Sequence, residues 1–315
     1  MQNKRVIVTG GAGFIGSHIC ERLCELGYYV VIVDNLRSGD KSYVDSLLRN
    51  RKAELVQEDI CDLDVMRPII KDAAYVFHEA AVGINYSIDH PRETIDINLL
   101  GSYNVMRAAT EAKVKKLIFA SSASVYGNAE YLPINENHPF NPMTPYCVSK
   151  IGCEYLAKMF ARQGLNYIAL RYFNVYGLRQ SKSAFYTSVI NIFVKSIEQG
   201  VPPTIFGDGT QSMDFINVKD VAEANILAME SKIENDVFNV ASGVETSIKE
   251  LAEIILRAMK SDLKPTYSPE RLIIVRHRQA SIDKIRKALG FEPRISLKDG
   301  LKELIRDVCE KPAKY

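Results

Sequence analysis

Apolar positions along this chain fall into short continuous runs, separated by longer stretches in which apolar residues recur every three or four positions. The runs lie at residues 5–9, 29–33, 53–57, 75–78, 116–121 and 167–172. Helical periodicity occupies 14–26, closed by Gly27, and later 91–112 and 145–162. Fully apolar strands alternating with amphipathic helices predict βαβ units and a buried parallel sheet. Past residue 173 the pattern loosens. Residues 176–185 read as loop, 189–199 as helix, and 201–211 carries Pro202-Pro203 and Gly207-Asp-Gly209. Residues 215–218, 220–229 and 237–240 read as a return to the sheet, and 247–309 as two or three amphipathic helices. The expected fold class is α/β, a Rossmann-type doubly wound parallel sheet with a smaller mixed α/β C-terminal substrate domain. Residues 1–172 plus about 216–240 form the first domain, and about 173–215 plus 241–315 the second.

Composition narrows the partners. The 315 residues are 47% hydrophobic and 25% charged, with 40 basic against 38 acidic side chains. A net charge of +2 gives no bulk electrostatic case for nucleic acid or an anionic membrane. No stretch approaches the ~18 apolar residues of a membrane helix, and the first apolar run starts too early to follow a signal peptide. Six cysteines form no CxxC pair, and five histidines show no metal-ligand spacing. Reduced thiols, a cytoplasmic location and no metal are expected.

The strongest local feature is Thr9-Gly-Gly-Ala-Gly-Phe-Ile-Gly-Ser17, which follows a strand and opens a helix. Glycines at 10, 13 and 16 let a pyrophosphate approach backbone N–H groups at the positive end of a helix dipole. Asp34 ends the second strand, where a carboxylate accepts from ribose hydroxyls and repels a 2′-phosphate. That favours NAD over NADP, with nearby Arg37 as the opposing signal. No lysine follows the last glycine, so this is not a P-loop. The second feature is Tyr146-Cys-Val-Ser-Lys150. Thr144 and Pro145 suit the start of a helix, and Tyr146 and Lys150 at i, i+4 share a face. An ammonium beside a phenol stabilises the phenolate and makes it a usable base. Ser121-Ser-Ala-Ser-Val-Tyr-Gly127 follows a predicted parallel strand, which puts its hydroxyls where ligands bind in such sheets.

Together these segments resemble the extended short-chain dehydrogenase/reductase family, in its NAD-dependent nucleotide-sugar epimerase/dehydratase branch. The resemblance runs through Val8 to His18, Asp34-Asn-Leu36, Glu58-Asp-Ile60, His78-Glu-Ala-Ala81, Asn98-Leu-Leu-Gly101 and Ser121 to Gly127. It continues in Tyr146 to Lys150, Arg171-Tyr-Phe-Asn-Val-Tyr-Gly177, Phe206-Gly-Asp-Gly209, Asp214-Phe-Ile216 and Leu289-Gly290. It implies Ser122, Tyr146 and Lys150 as catalytic hydroxyl, base and orienting lysine. Cofactor contacts are implied for Gly10, Gly13, Phe14, Ile15, Gly16, Asp34, Asn35, Asp59, Ile60, Ala80, Ala81, Asn98, Tyr146 and Lys150. Substrate contacts are implied for Ser122, Ser124, Tyr146, Asn174, Val189, Phe206, Arg271, Arg276 and Arg278. The long helices at 91–112 and 145–162 would pair across a two-fold axis, giving a homodimer.

Within the branch, dehydratases place an Asp-Glu pair after the catalytic Ser/Thr, whereas this chain has Ala123-Ser124. A methyl and a hydroxyl cannot replace two carboxylates in eliminating water. The resemblance therefore implies a nucleotide-sugar 4-epimerase, of UDP-glucose/UDP-galactose type. The alternatives are a UDP-uronic acid, UDP-pentose or UDP-N-acetylhexosamine epimerase, or a nucleotide-sugar reductase or decarboxylase. Three positions depart from the family pattern. Met213 replaces an arginine that contacts the diphosphate, which shifts that charge to Arg271 or Arg276. Ile274 replaces an acidic residue near the ribose. Arg278 stands where a small residue would admit a C2 N-acetyl group, and an arginine there excludes that group or pairs with a substrate carboxylate.

Overall fold

The computed structural model describes residues 5–180, 188–269 and 275–310, the side chains of 308–310 excepted. Its centre is a parallel seven-stranded sheet. Strands β1 (Arg5–Thr9), β2 (Tyr29–Val33), β3 (Ala53–Val56), β4 (Tyr75–His78), β5 (Lys116–Ser122) and β6 (Tyr167–Tyr172) are joined by Asp236–Val240 at the β6 edge. From the other edge the order is β3-β2-β1-β4-β5-β6, so the winding direction reverses between β1 and β4. That reversal opens a crevice at the carboxyl ends of the strands.

Both faces of the sheet are covered, which is why its strands are apolar without alternation. Val6, Val8, Val30, Ile32, Ile118 and Ile168 point to one face, under helix α1 (Phe14–Glu25) and helix Val218–Glu230. Ile7, Val31, Val33, Val76, Leu117 and Ala169 point to the other, under Leu63–Ile70, Ser102–Glu111 and Pro145–Ala161. Gly27, at φ +81°, ends the first helical segment as its position predicted.

Two expectations needed correction. The helix predicted over 91–112 is interrupted: Pro91–Ile95 and Ser102–Glu111 are joined by a wider π-type turn, Asp96–Gly101. Such a turn re-aims side chains within a helix. Here it seats Leu99 against Gly152 and brings Gly101 against Ile60, where a Cβ on either glycine would lie 2.7 Å from a side-chain carbon. The segment predicted as a strand at 215–218 does not return to the central sheet. Ser212–Asn217 instead pairs with Asn174–Tyr176, Glu245–Ser247 and His277–Arg278 in a separate sheet. Its inward Asp214 carboxylate accepts from the backbone N–H groups of Ser242 and Gly243, a polar bond set that the central core does not offer. Only helix Val218–Glu230 and strand Asp236–Val240 rejoin the central sheet.

That smaller sheet packs with helices Val189–Glu198, Ile248–Ala258 and Leu297–Glu310 around a third core built on Tyr176, Phe193, Phe215, Leu251 and Leu301. Among the described residues of the C-terminal stretch there are therefore three helices, including Asp283–Leu289, within the expected two or three. No described helix is long and apolar enough to cross a membrane. Among the described residues no disulfide forms, and Cys20 and Cys24 are buried on one face of α1.

Beneath the crevice lies a buried ion pair. Arg171 on β6 grips Glu154 on helix Pro145–Ala161 through two bonds of 2.8 and 2.7 Å. Ser121 donates to the same carboxylate at 2.6 Å. Removing one partner of such a pair leaves an uncompensated charge in the core. E154Q is therefore expected to lower unfolding stability by about 3–5 kcal/mol, read from urea denaturation. A loss below 1 kcal/mol would show that the pair is not a structural anchor.

Candidate active site

The crevice is a cleft of about 700 Å³. One end is the glycine turn. Gly10 adopts φ +68°, and a Cβ at Gly16 would lie 2.2 Å from the Gly10 carbonyl oxygen, so neither position accepts a side chain. Asp34 holds this turn in place. Its carboxylate accepts from the backbone N–H groups of Ala12 at 3.0 Å and Leu36 at 2.8 Å. Burial pushes its pKa up, against the pull of those two bonds.

Beside it, Asn35 donates to Asp59 at 2.9 Å. Asp59 also accepts from the Cys61 backbone. Burial works to raise the Asp59 pKa, but these bonds outweigh it and hold the carboxyl below its ordinary value. Arg37, the signal that opposed NAD, is engaged elsewhere. It pairs with Glu93 at 2.5 Å and also bonds the Tyr86 hydroxyl. The acid-lined pocket, with its nearby arginine already paired, suits an unphosphorylated ribose. The glycine turn, Asp34 and the Asn35–Asp59 pair thus fit an NAD-type dinucleotide.

At the other end lie Ser122, Tyr146 and Lys150. Thr144 caps helix Pro145–Ala161, accepting from the Cys147 N–H, with Pro145 in the first turn. Tyr146 and Lys150 consequently face the cleft one turn apart. Lys150 is buried and donates to the Ala120 carbonyl at 2.8 Å, with its ammonium 5.6 Å from the centre of the Tyr146 ring. Ser122 ends β5, and its Oγ accepts from the Ser124 N–H at 3.1 Å. No side-chain bond is made by the Tyr146 hydroxyl among the described residues, so it is available to a ligand. A phenol and a hydroxyl beside a fixed ammonium can remove and return a proton at a substrate alcohol.

Of the cofactor residues inferred from sequence, Gly10, Gly13, Phe14, Ile15, Gly16, Asp34, Asn35, Asp59, Ile60, Ala80 and Ala81 line this one cleft, with Tyr146 and Lys150. Asn98 does not. It is buried behind the wall, bonding both the N–H and the carbonyl of Val82 and reaching Ser149 at 3.3 Å. It ties the loop after β4 to helix Pro145–Ala161. His78 is likewise structural, bonded to Thr9 and Ser102 at 2.7 Å each. Burial, with a smaller push from Lys150, drives its pKa down to about 3 and keeps it neutral.

The proposed substrate residues are more dispersed. Asn174 bonds the Asp214 carbonyl, and Arg278 pairs in register with Met213, all on the smaller sheet. Ser124 is buried with its hydroxyl unpartnered. Val189 opens its helix, Phe206 ends strand Thr204–Phe206, and Arg276 is exposed. Arg271 and Ile274 lie outside the described residues. Glu79, Tyr172 and Arg179 also line the cleft but were not singled out from sequence. Glu79 stood within the quoted His78-Glu-Ala-Ala81 segment. Arg179 is tied back to α1, bonding Glu21 and Ser17, which no local pattern indicates.

The model of the NAD dependent epimerase/dehydratase family matches residues 6–241. The chain belongs to that family. It is 41% identical over 304 residues to a putative UDP-glucose 4-epimerase of Methanocaldococcus jannaschii, covering 95% of this chain and 97% of that one. Among solved structures it is similar to a UDP-N-acetylglucosamine 4-epimerase from Methanobrevibacter ruminantium M1 in complex with UDP-N-acetylmuramic acid. That match has 38% identity and a TM-score of 0.93, over 98% of this chain and 99% of that one. It is also similar to a Thermus thermophilus UDP-glucose 4-epimerase in complex with NAD, at 31% identity and TM-score 0.86, over 98% and 100% of the two chains. NAD is accordingly the cofactor of this enzyme.

Gly16→Ala is expected to remove bound nucleotide, because the new methyl would meet the Gly10 carbonyl. The measurement is the NAD released from denatured protein; a full equivalent in the variant would contradict the close approach.

Proposed function

We propose that this enzyme is a nucleotide-sugar 4-epimerase, acting on UDP-glucose and UDP-galactose. The observation that carries this reading is the free Tyr146 hydroxyl, set beside anchored Lys150 and Ser122 at the end of a dinucleotide cleft. Ala123-Ser124, rather than two acids, follows Ser122, so the site has no acid–base pair there for eliminating water. In this mechanism Ser122 orients the sugar O4, and Tyr146, as phenolate, takes the O4 proton. Lys150 stabilises that phenolate and keeps its place through the Ala120 carbonyl. When bound, NAD supplies the chemistry of accepting a hydride from C4 and giving it back. Turning the sugar within the site exposes its other face, and Tyr146 then returns the proton. In this reading residues 1–172 with about 216–240 bind NAD, and 173–215 with 241–315 bind the nucleotide sugar.

Arg278 supports a second reading, an acidic sugar. Its Nε is enclosed and makes no hydrogen bond, and among the described residues no carboxylate lies within ion-pair distance. Burial pulls its pKa down to about 10, opposed by the Cys147 thiol, the neighbour of Tyr146. An arginine in that state is suited to an anionic ligand group, and one relative's structure holds UDP-N-acetylmuramic acid.

The protein is also proposed to be a cytoplasmic homodimer. Val148, Tyr155 and Met159 form an exposed apolar stripe on helix Pro145–Ala161, beside exposed Leu100 of the π-type turn. The unpaired thiols of Cys20, Cys24, Cys61, Cys147 and Cys153 agree with a reducing compartment.

Incubation with UDP-glucose and UDP-glucuronic acid, followed by NMR for C4 inversion, tests both substrate readings. Y146F should lose at least about 100-fold in kcat while retaining its NAD. R278Q should lose turnover of the acidic sugar alone if that is the substrate. No inversion of either sugar by the wild type would overturn the substrate assignment. Light scattering should give a dimer for the wild type and a monomer for Y155D; a monomeric wild type would exclude the helix-pair interface.

A further inference from the structure

Among the acids that line the cleft, Glu79 has no part in the mechanism above and is the one that the charge of Lys150 reaches. Glu79 follows β4, and its carboxyl accepts from the Tyr172 hydroxyl at 3.0 Å. That hydroxyl in turn accepts from Asn225 at 2.8 Å. Glu79, Tyr172, Tyr146 and Lys150 all line the same cleft. No ammonium or guanidinium lies within ion-pair distance of Glu79 among the described residues, and Lys150 is the cation whose charge reaches it. The groups facing this carboxyl are Tyr172 from β6 and Lys150 from helix Pro145–Ala161, with Tyr146 acting on Tyr172 from that same helix. Two acids, one carboxyl and one phenol, therefore stand within reach of a single fixed ammonium.

We propose that Glu79 is a positioning residue that offsets Lys150 and so sets the pH at which Tyr146 becomes a base. It rests on Tyr146 being the proton acceptor, as assigned above. An epimerase makes an unusual demand on that group. The same phenol must accept a proton when the alcohol is oxidised and give it back when the ketone is reduced. A phenol ionised too easily takes the proton but returns it poorly, so the best balance lies near the working pH. An ammonium beside a phenol favours the phenolate. An ionised Glu79 opposes that drive, since a second negative charge in the same enclosed cleft disfavours the first. Burial raises the Glu79 carboxyl to about 7, partly countered by the Tyr172 bond and by Lys150. Its charge therefore develops around neutrality, where the opposing effect is needed.

The chain of Asn225, Tyr172 and Glu79 fixes the carboxyl without neutralising it. Asn225 donates its amide to Tyr172 and to the Val221 carbonyl, and Tyr172 donates its one proton to Glu79. An arginine or lysine in place of Tyr172 would hold Glu79 as firmly but cancel its charge.

The test uses NAD-loaded enzyme and E79Q, which keeps the shape and removes the charge. The tyrosinate absorbance that disappears in Y146F should appear about one pH unit lower in E79Q than in wild type. E79D should restore most of the wild-type midpoint. The rising limb of kcat against pH should move with it. Carbon-13 NMR of glutamate-labelled wild type should give a carboxyl signal, absent in E79Q, that titrates near neutrality. A Tyr146 midpoint in E79Q equal to that of wild type would overturn the proposal, as would a Glu79 carboxyl that stays protonated throughout pH 5–9. The absorbance and NMR measurements need no substrate. A failure of the epimerase assignment would leave every variant without turnover, yet the shift in Tyr146 would still be seen.

Discussion

The geometry of the site depends on the bond between Arg171 and Glu154. Helix Pro145–Ala161 presents Tyr146, Lys150 and Glu154 at four-residue intervals, so one stripe carries the phenol, the ammonium and the anchor. Glu154 is clamped by Arg171 from β6 and by Ser121 from β5, the residue before Ser122. Arg171 in turn bonds the Tyr126 hydroxyl and the Glu136 carbonyl. Burying two charges is costly, and an apolar pair of the same volume would often be as stable. Direction is what the ion pair adds. An apolar contact would let the helix slide along the sheet, whereas a two-pronged guanidinium–carboxylate bond defines one relative position. The Lys150 bond to the Ala120 carbonyl then repeats that constraint one turn nearer the cleft.

Much of this was legible in the sequence because it is local. The glycine turn, the strand endings at Asp34 and Ser122, and the Tyr146–Lys150 spacing are each contained in fewer than ten residues, and backbone geometry alone gives them meaning. Three features were not legible, each for the same physical reason. The π-type turn at Asp96–Gly101 depends on Leu99 finding Gly152 and on Gly101 finding Ile60, contacts that no helical period encodes. Strand Ser212–Asn217 is apolar enough at Phe215-Ile216 to resemble the central strands, yet Asp214 binds distant N–H groups and commits it to another sheet. Asn98 looks in sequence like a cleft residue, and only the fold shows it holding Val82 from behind.

Charge follows a similar logic. A net charge of +2 gave no sign of a protein built to hold a dinucleotide and a second phosphorylated ligand. Placement accounts for this, since the arginines around the site are mostly spoken for. Arg37 holds Glu93, Arg171 holds Glu154, and Arg179 holds Glu21, so each contributes position more than field. A guanidinium already paired with a carboxylate offers little to a phosphate, and the dinucleotide end instead offers glycine backbone and the helix dipole.

Arg278 breaks that rule. It pairs in register with Met213, and its enclosed Nε makes no hydrogen bond, with no acid within ion-pair distance among the described residues. An Nε left without an acceptor is a cost to the free protein, which an acceptor oxygen on a ligand would remove. On the acidic-sugar reading, that cost would be recovered when an anionic group enters, and a local defect of packing would become selectivity. On that reading the choice of sugar would rest less on the redox centre than on whether an anionic oxygen reaches the smaller sheet.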